Sequence, residues 1–488
     1  MASEVTRRKF IKTGGLAATG LIFGNTVGLG KTPNEKPKQT IIIIGAGLSG
    51  LSAGYELKRN GHDVIILEGQ SRPGGRVQTH RYSSDDKFHV ELGAGRFPKS
   101  HELTMKYVNH FGLEVSPFYA DEGNMTTLIG SERIYNPYDG KKDINKLSHA
   151  FTSKERQLGA DGIFKHYLLP TLQKADRPFD SDWINEELAE FDQLSWTDFL
   201  RSKGLSTAAI NFINNGVLTE KDGKQISALW LFRDMLSSGK KYKIVGGNDK
   251  LPSAFARELE QNICYSTRAL AVDQNDNKVA VYCEREGERM KIVGDHVILA
   301  IPSSVLKQID VSGISNRYAD LIGNLTYASA SRVTLRFSKR SWETKGLNGF
   351  AATDHPLQVW HPTFDQKGKS GILQTYIRTS LSSTLSEMSE EERMELSLSH
   401  VEDVFPHVGE YYIDGFSKCW DNDSWAKGAA AVAAPGFLSR YYDDLQYNEG
   451  RIYFAGEHLS PWPAWMQGAL FSGTSVAARI QNKILDTR

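Results

Sequence analysis

Two observations in the sequence predict an α/β fold in which helices flank a parallel sheet. Near the N-terminal end, residues 40–44 are a run of Thr and Ile, LSAGYELKRNGH has helical apolar spacing, and DVIILE is a second apolar run that ends in Glu68. Near the C-terminal end, IYFAGE is another apolar run, and a stretch with helical spacing begins near Met466. Such strands are buried on both faces, which is typical of parallel sheets.

The turn between the first strand and the first helix has the pattern of a dinucleotide site. Gly45, Gly47 and Gly50 are spaced as GxGxxG between a strand and a helix. Glycines in this context let the backbone approach a pyrophosphate at the helix N-terminus, and an acid such as Glu68 accepts hydrogen bonds from the adenosine ribose. Because an acid disfavours a 2′-phosphate at that position, the pattern excludes NADP and leaves NAD or FAD.

The composition excludes several classes of function. Lys plus Arg and Asp plus Glu both total 58, so no overall charge recruits nucleic acid. The three cysteines, Cys264, Cys283 and Cys419, are far apart and form no CxxC pair. We therefore expect neither a disulfide framework nor a metal site.

The N-terminal 38 residues differ from the rest of the chain. TRRKFIK is followed by TGGLAATGLIFGNTVGLG, a short glycine-rich and weakly apolar run. This order is typical of a bacterial twin-arginine (Tat) export signal, and the run is too short for a stable membrane span. We expect the Tat machinery to export the folded protein, which is then periplasmic or secreted; a disordered basic tail is the alternative.

Two motifs distinguish FAD from NAD. In GQSRPGGRVQTHR, the turn at Gly74 and Gly75 brings Arg76 back toward the phosphates, and GRIYFAGEHLSPWPAWMQGALFSGTSVAARI closes the chain. Together they resemble the flavin amine oxidase family. The resemblance implies FAD as the cofactor, with Glu457 at its ribityl hydroxyls and the helix N-terminus near Met466 at its pyrimidine ring, where the helix dipole favours negative charge. The cofactor-binding residues that it implies are Gly45, Ala46, Gly47, Gly50, Glu68, Gly75, Arg76, Gly95, Arg96, Ala269, Glu457 and Met466.

Residues 90–115, VELGAGRFPKSHELTMKYVNHFGLEV, narrow the choice within that family. They resemble the segment of L-amino acid oxidases in which an arginine holds the substrate carboxylate, and Arg96 occupies that position. A guanidinium group can bind a carboxylate with two parallel hydrogen bonds. The resemblance also places Tyr376, in SGILQTYIRTSL, as the second carboxylate donor. A structural salt bridge for Arg96 and a packing role for Tyr376 are the alternatives.

Three further residues are assigned to the substrate cavity by the resemblance. Trp420 and Trp465 occupy positions where the family lines the cavity with aromatic rings, although either could be packing. Arg332 stands where the family carries a lysine that reaches flavin N5 through a water. It lies in SASRVTLRFSKRSW, where Val333, Leu335 and Phe337 alternate with polar residues, so its face is either solvent or the cavity. An arginine supplies a permanent cation but does not shuttle protons.

The resemblance implies the oxidation of an L-amino acid, with a large apolar or aromatic side chain suggested by the aromatic walls. Hydride passes from Cα to flavin N5, the imino acid hydrolyses to a 2-keto acid and ammonia, and molecular oxygen takes the electrons to give hydrogen peroxide. The alternatives are an amino acid dehydrogenase or 2-monooxygenase, another flavin amine oxidase, and a flavoprotein without catalytic activity. We expect a homodimer.

The positions of the motifs predict a discontinuous architecture. A Rossmann-like FAD-binding domain, a mixed-sheet substrate-binding domain and a helical insertion follow residues 1–38, the signal and linker. The predicted segments are 39–72, 243–325 and 449–488 for the FAD-binding domain, 73–125 and 326–448 for the substrate-binding domain, and 126–242 for the helical domain.

Overall fold

The computed structural model of the chain describes residues 3–4 and 38–486, apart from residues 84–87, 138–139, 141, 148–149, 177–182, 238 and 355–356. The predicted export signal therefore lies outside the described residues, except for the backbone of residues 3–4 and Lys38. Among the described helices, none is long and apolar enough to cross a membrane.

A five-stranded parallel sheet forms the core of the nucleotide-binding half. Its strand Thr40–Ile44 is central, with Ile41, Ile42 and Ile43 fully buried. This confirms the predicted α/β class, because strands covered on both faces consist of continuous apolar runs. The sheet takes strands from three distant parts of the chain, in the spatial order Ile263–Cys264, Asp63–Leu67, Thr40–Ile44, His296–Leu299 and Ile452–Phe454.

Two helices that pack closely together cover one face of this sheet. Leu48–Arg59 follows the glycine turn, and Met466–Asp486 ends the described chain. They approach closely because a Cβ on Gly473 would lie only 2.2 Å from the carbonyl oxygen of Ser49. A separate sheet contains an antiparallel meander, whose buried residues belong to a second hydrophobic core cluster. The meander strands are Thr267–Gln274, Val279–Arg285 and Glu288–Gly294, and Asp310–Val311 and the backbone of Ser3–Glu4 pair at its two edges.

A seven-stranded mixed sheet forms the second half of the molecule. Val333, Leu335 and Phe337 pack in a core cluster with residues of the helices Thr379–Glu387 and Glu390–Val404. The predicted alternation in this strand is therefore confirmed. The spatial order of the strands is Tyr412–Cys419, Ala330–Phe337, Gly371–Arg378, Leu357–Trp360, Leu347–Thr353, Asn124–Ile129 and Glu132–Asn136.

Smaller elements connect the two large sheets. Lys241–Ile244 pairs with Phe97–Pro98 and Val115–Pro117, so the segment that carries Arg96 runs into a three-stranded sheet. Thr79–Arg81 pairs with His89–Glu91, and Thr326–Ala328 pairs with Ala430–Val432. Besides the four helices already given, the described α-helices outside the helical segment are Glu102–His110, Lys250–Glu258, Ser303–Leu306, Asn316–Asn324 and Phe437–Tyr441.

The helical segment starts later than the sequence indicated. Strands Asn124–Ile129 and Glu132–Asn136 belong to the seven-stranded sheet, so the boundary placed at residue 126 falls inside a strand. The reason is that Thr126 to Ile129 are buried against the neighbouring strands. Side-chain N-caps from Ser, Thr or Asn begin most of the helices that follow. They are Ser153–Ile163, Leu169–Ala175, Glu186–Gln193, Trp196–Ser202, Thr207–Asn214, Glu220–Gly223 and Ala228–Met235, with a π-helical turn at Phe164–Leu168.

Candidate active site

A cavity of about 890 Å³ is lined by residues of both large sheets. Ala46 and Gly50 do not line it, because both are buried in the turn and helix behind its wall. All the other residues assigned to a site do line it, namely Gly45, Gly47, Glu68, Gly75, Arg76, Gly95, Arg96, Ala269, Arg332, Tyr376, Trp420, Glu457, Trp465 and Met466.

The glycines of the GxGxxG turn have different roles. A Cβ on Gly50 would lie 2.0 Å from the carbonyl oxygen of Gly45, so this position requires glycine for the helix to approach the turn. A Cβ on Gly47 would meet no heavy atom within 4 Å, and Gly47 is the N-cap of helix Leu48–Arg59. The open space beside Gly47 at a helix N-terminus fits a pyrophosphate.

Glu68 lines the cavity close to the glycine turn. Its carboxylate accepts hydrogen bonds from the backbone N–H groups of Ala46 (2.7 Å) and Gln70 (2.8 Å). Burial raises the pKa of Glu68 despite these bonds. Trp425, which sequence analysis did not assign, lies over Gly69, where a Cβ would be 2.0 Å from the indole ring. Its signal was present in the same CWDNDSWAKGAAA segment as Trp420.

The two terminal motifs meet in an ion pair. Nη1 of Arg76 lies 2.7 Å from Oε1 of Glu457, and the same nitrogen donates to the carbonyl oxygen of Ala429. Oε2 of Glu457 accepts a hydrogen bond of 2.7 Å from the N–H of Ala464, which precedes the helix at Met466. Burial would raise the pKa of Glu457, but Arg76 and these hydrogen bonds hold it below its usual value. The ion pair therefore fixes the turn that begins the C-terminal helix.

Arg96 lies at the other end of the cavity, among aromatic rings. Its Nη1 donates to the hydroxyl of Tyr119, and its guanidinium carbon is 4.6 Å from the centroid of the Trp360 ring. It is half-buried and lines the cavity. Within the described ranges, no carboxylate forms an ion pair with Arg96, so the geometry gives no support to a structural salt bridge.

Arg332 is buried and already has partners. Its side chain donates to the carbonyl oxygen of Gly93 (2.9 Å) and to Oε1 of Gln374 (3.3 Å). Its guanidinium carbon lies 4.1 Å from the ring centroids of both Trp360 and Tyr376. Burial lowers the pKa of Arg332 to about 10, with Arg96 acting in the same direction. Its face of the strand is therefore the cavity, where it stays protonated and supports the glycine loop before Arg96.

The two predicted tryptophans are both held by their indole N–H groups. Trp465 donates to Oδ1 of Asp234 at 2.6 Å, and Trp420 donates to the carbonyl oxygen of Leu92 at 2.8 Å. Trp420 therefore lines the cavity and also fixes the strand end before Gly93. In this way, Trp420 and Arg332 both hold the loop that presents Arg96.

The whole chain can be compared with known proteins at this point. The model of the flavin containing amine oxidoreductases matches residues 48–481, which include Gly50, Arg76 and Glu457. The chain belongs to this family. Its cofactor is FAD, and it is an oxidoreductase.

The relatives of this flavin amine oxidoreductase match it over almost its whole length. It is 31% identical to YobN of Bacillus subtilis (strain 168), over 92% of this chain and 96% of YobN. It is 28% identical to an L-amino-acid oxidase of Echis ocellatus, over 92% of this chain and 90% of that protein. The structure of cyclohexylamine oxidase from Brevibacterium oxydans IH-35A superimposes with a TM-score of 0.78 at 19% identity, over 92% of this chain and 100% of the other, which shows a shared fold.

Sequence analysis missed several residues at the substrate end of this flavin amine oxidoreductase. Tyr119 and Trp360 contact Arg96 and stand in no motif. Arg378 lies beside the Tyr376 ring and was not assigned, although it stands in the segment SGILQTYIRTSL. Lys241 also lines the cavity, and burial together with the charge of Arg96 lowers its pKa to about 8. Only the pairing of distant strands brings these residues together.

Proposed function

We propose that the chain is an exported FAD-dependent L-amino acid oxidase. An L-amino acid, water and molecular oxygen react to a 2-keto acid, ammonia and hydrogen peroxide. The observation that carries the proposal is Arg96, a guanidinium group that lines the cavity without a carboxylate partner among the described residues. Such a cation suits the α-carboxylate of an amino acid, and simple amines lack this group.

The residues of the cavity would bind and orient the amino acid. Arg96 donates to the α-carboxylate, and the hydroxyl of Tyr376 is the second donor. Trp465 and Trp420 wall the cavity and reduce access of water to the amine. The positive charges of Arg96 and Arg332 lower the pKa of the substrate ammonium, so that the amine is neutral when Cα is oxidised. Bound FAD supplies the acceptor for the two electrons.

An amino acid dehydrogenase is the second candidate, and Arg332 is the observation that favours it. This residue stands where the family usually has a lysine, and its guanidinium is held by Gly93 and Gln374. With a pKa of about 10 it does not exchange protons at neutral pH, so the reaction with oxygen can differ from that of an oxidase.

The test is to mix the purified flavoprotein with L-amino acids, D-enantiomers and simple amines without oxygen, and then to admit air. Loss of flavin colour with L-amino acids, followed by rapid return and about one peroxide per turnover, is the expected result. Colour that stays lost in air would support the dehydrogenase, and an amide product would support a 2-monooxygenase. Loss of colour with amines alone would contradict the proposed role of Arg96.

Export and assembly are also part of the proposal. The twin arginines Arg7 and Arg8 motivate Tat export to the periplasm or the medium, and replacement of both by lysine should retain the protein in the cytoplasm. We propose a homodimer, which light scattering of the purified protein would test. The two tryptophans by themselves favour large apolar or aromatic substrates, whereas Arg378, which also lines the cavity, favours acidic ones.

A further inference from the structure

A third arginine lines the substrate end of the cavity. Arg378 lies two residues beyond Tyr376 on strand Gly371–Arg378, so both side chains are on the same face of the sheet. Its guanidinium carbon is 5.3 Å from the centroid of the Tyr376 ring. The side chain is half-buried, and its Nε is buried without a hydrogen-bond partner.

Arg378 has no counter-charge among the residues that the structure describes. Asp222 is close in space, because its carboxylate accepts hydrogen bonds from the hydroxyl groups of Thr379 (2.7 Å) and Thr219 (2.5 Å). These contacts engage Asp222, and it forms no ion pair with Arg378. An arginine that faces a cavity without an acidic partner is suited to an anionic ligand.

Two amide side chains that line the same cavity have their oxygens already engaged, so only their NH2 groups remain to bind a ligand. Oε1 of Gln358 accepts the indole N–H of Trp360 at 3.1 Å, and Oδ1 of Asn214 accepts the indole N–H of Trp196 at 2.9 Å. Because an indole is only a donor, these bonds fix both amides with their oxygen engaged. Neither amide NH2 group has a hydrogen-bond acceptor among the described side chains, and Nδ2 of Asn214 is buried.

The three donors belong to adjoining elements. Gln358 is the direct cross-strand partner of Tyr376, which precedes Arg378 by two residues. A Cβ on Gly216, two residues after Asn214, would lie 3.1 Å from Cγ of Gln358. The wall of the cavity beyond Tyr376 therefore combines one cation with two amide donors.

We propose that Arg378 binds a carboxylate on the side chain of the substrate, and that the preferred substrates are acidic L-amino acids such as glutamate. This inference rests on the proposed amino acid oxidation. Arg96 binds the α-carboxylate, and Arg378 binds the second carboxylate on the other side of the aromatic pair Trp360 and Tyr376. The neighbouring apolar side chains of Ile213 and Val217 suit the methylene groups between the two carboxylates.

The charge of the substrate end favours this class over apolar amino acids. Arg96, Arg332, Arg378 and Lys241 are basic. Asp234, an acid that lines the cavity with them, is engaged by Trp465. An apolar amino acid would place its side chain beside Arg378 and displace the water that hydrates the guanidinium group. Such desolvation of an unpaired charge opposes binding.

The test compares L-glutamate, L-glutamine and L-methionine, which have similar length and differ in side-chain charge. The rate of anaerobic flavin reduction gives kcat/KM for the wild type, Arg378→Met and Arg378→Lys. We expect the wild type to prefer L-glutamate, and Arg378→Met to lower its kcat/KM by about 100-fold while the value for L-methionine changes less than about threefold. Arg378→Lys should retain most of the preference, and the exposed Arg440→Met is the matched control.

A binding measurement on the wild type does not depend on the variants folding. The flavin spectrum of the oxidised protein should shift with 2-oxoglutarate at a concentration at least about tenfold lower than with 4-methyl-2-oxopentanoate. Equal loss of kcat/KM for all three amino acids in Arg378→Met, or a wild-type preference for L-methionine over L-glutamate, would overturn the inference. If no L-amino acid removes the flavin colour, the proposed function itself is wrong.

Discussion

Arg332 and Tyr376 are direct partners on neighbouring antiparallel strands, and the guanidinium carbon of Arg332 lies 4.1 Å from the centroid of the Tyr376 ring. The same guanidinium donates to the carbonyl oxygen of Gly93, three residues before Arg96. One buried side chain therefore connects the two proposed carboxylate donors. We therefore expect their relative position to depend on Arg332, together with the hydrogen bond of 3.0 Å from Gln374, on the strand of Tyr376, to the carbonyl oxygen of Glu91.

Replacement of Arg332 tests this connection. In Arg332→Met the hydrogen bonds to Gly93 and Gln374 are lost, so we expect the free energy of unfolding to fall by about 2 kcal/mol. The KM for the amino acid should rise, because Arg96 and Tyr376 are less well positioned. Chemical unfolding and steady-state kinetics measure the two effects. Arg332→Lys should keep the charge without the two hydrogen bonds to Gly93 and Gln374. An unchanged KM in both variants would contradict the positioning role.

Replacement of Arg96 tests the carboxylate site directly. Arg96→Ala should lower kcat/KM for the preferred amino acid by about 100-fold or more, mainly through KM, because a charged hydrogen bond is lost. Arg96→Lys should be affected less. The control is Tyr119→Phe, which removes the acceptor of one Arg96 hydrogen bond and keeps the aromatic ring. If amino acid kinetics in Arg96→Ala are unchanged, Arg96 does not bind the carboxylate.

The two helix-start glycines should respond differently to alanine. Gly47→Ala places its Cβ in the open space proposed for the pyrophosphate, so FAD content should fall while the apoprotein keeps its stability. Gly50→Ala brings a Cβ within 2.0 Å of the carbonyl oxygen of Gly45, so the fold itself should be destabilised. Flavin absorbance per chain and thermal unfolding of the apoprotein measure both outcomes. Full FAD content in Gly47→Ala would place the pyrophosphate elsewhere.

Loss of the Glu457 charge should weaken the turn before the C-terminal helix. In Glu457→Gln, the ion pair with Arg76 is removed while the shape of the side chain is kept. Because the half-buried Arg76 then loses its carboxylate partner, we expect a loss of about 2 kcal/mol in stability and a lower FAD content. The control is Glu449→Gln, three residues before the strand Ile452–Phe454. A stable variant with full FAD content would show that the ion pair is not required.

Glu91 should give the stability a characteristic pH dependence. Burial raises its pKa to about 7, although the N–H of Asn248 and the hydroxyl of Thr79 donate to it. The folded protein therefore binds more protons than the unfolded chain between about pH 4.5 and 7, and the contribution of Glu91 to the free energy of unfolding falls as the pH rises through this window.

The variant Glu91→Gln isolates that contribution. As the pH rises from 5 to 8, the variant should become more stable relative to the wild type. We expect the difference in free energy of unfolding to grow by about 3 kcal/mol at most. Denaturant unfolding at a series of pH values measures this difference. The exposed Glu102→Gln should track the wild type at every pH. A difference that stays constant would mean that the Glu91 carboxyl has an ordinary pKa.

The cofactor end of the cavity could be predicted from the sequence because its signals are local. The glycines from Gly45 to Gly50 and the acid Glu68 follow one another within a single strand–helix–strand unit, so their spacing already defines the site. Arg76 and Glu457 needed the family resemblance, and the structure joins them at 2.7 Å.

The substrate end was decided by the tertiary structure. Whether Arg332 faces solvent or the cavity depends on which sheet face the helices cover, and Trp360, Arg378 and Asn214 carry no local pattern. One contact that orients Arg332 joins segments 239 residues apart, namely its hydrogen bond to the carbonyl oxygen of Gly93. The sequence alone thus determined the parallel sheet and the nucleotide turn, since both depend on short-range backbone geometry. The long-range pairing of strands decided which charges share the cavity, because only that pairing determines which side chains are neighbours.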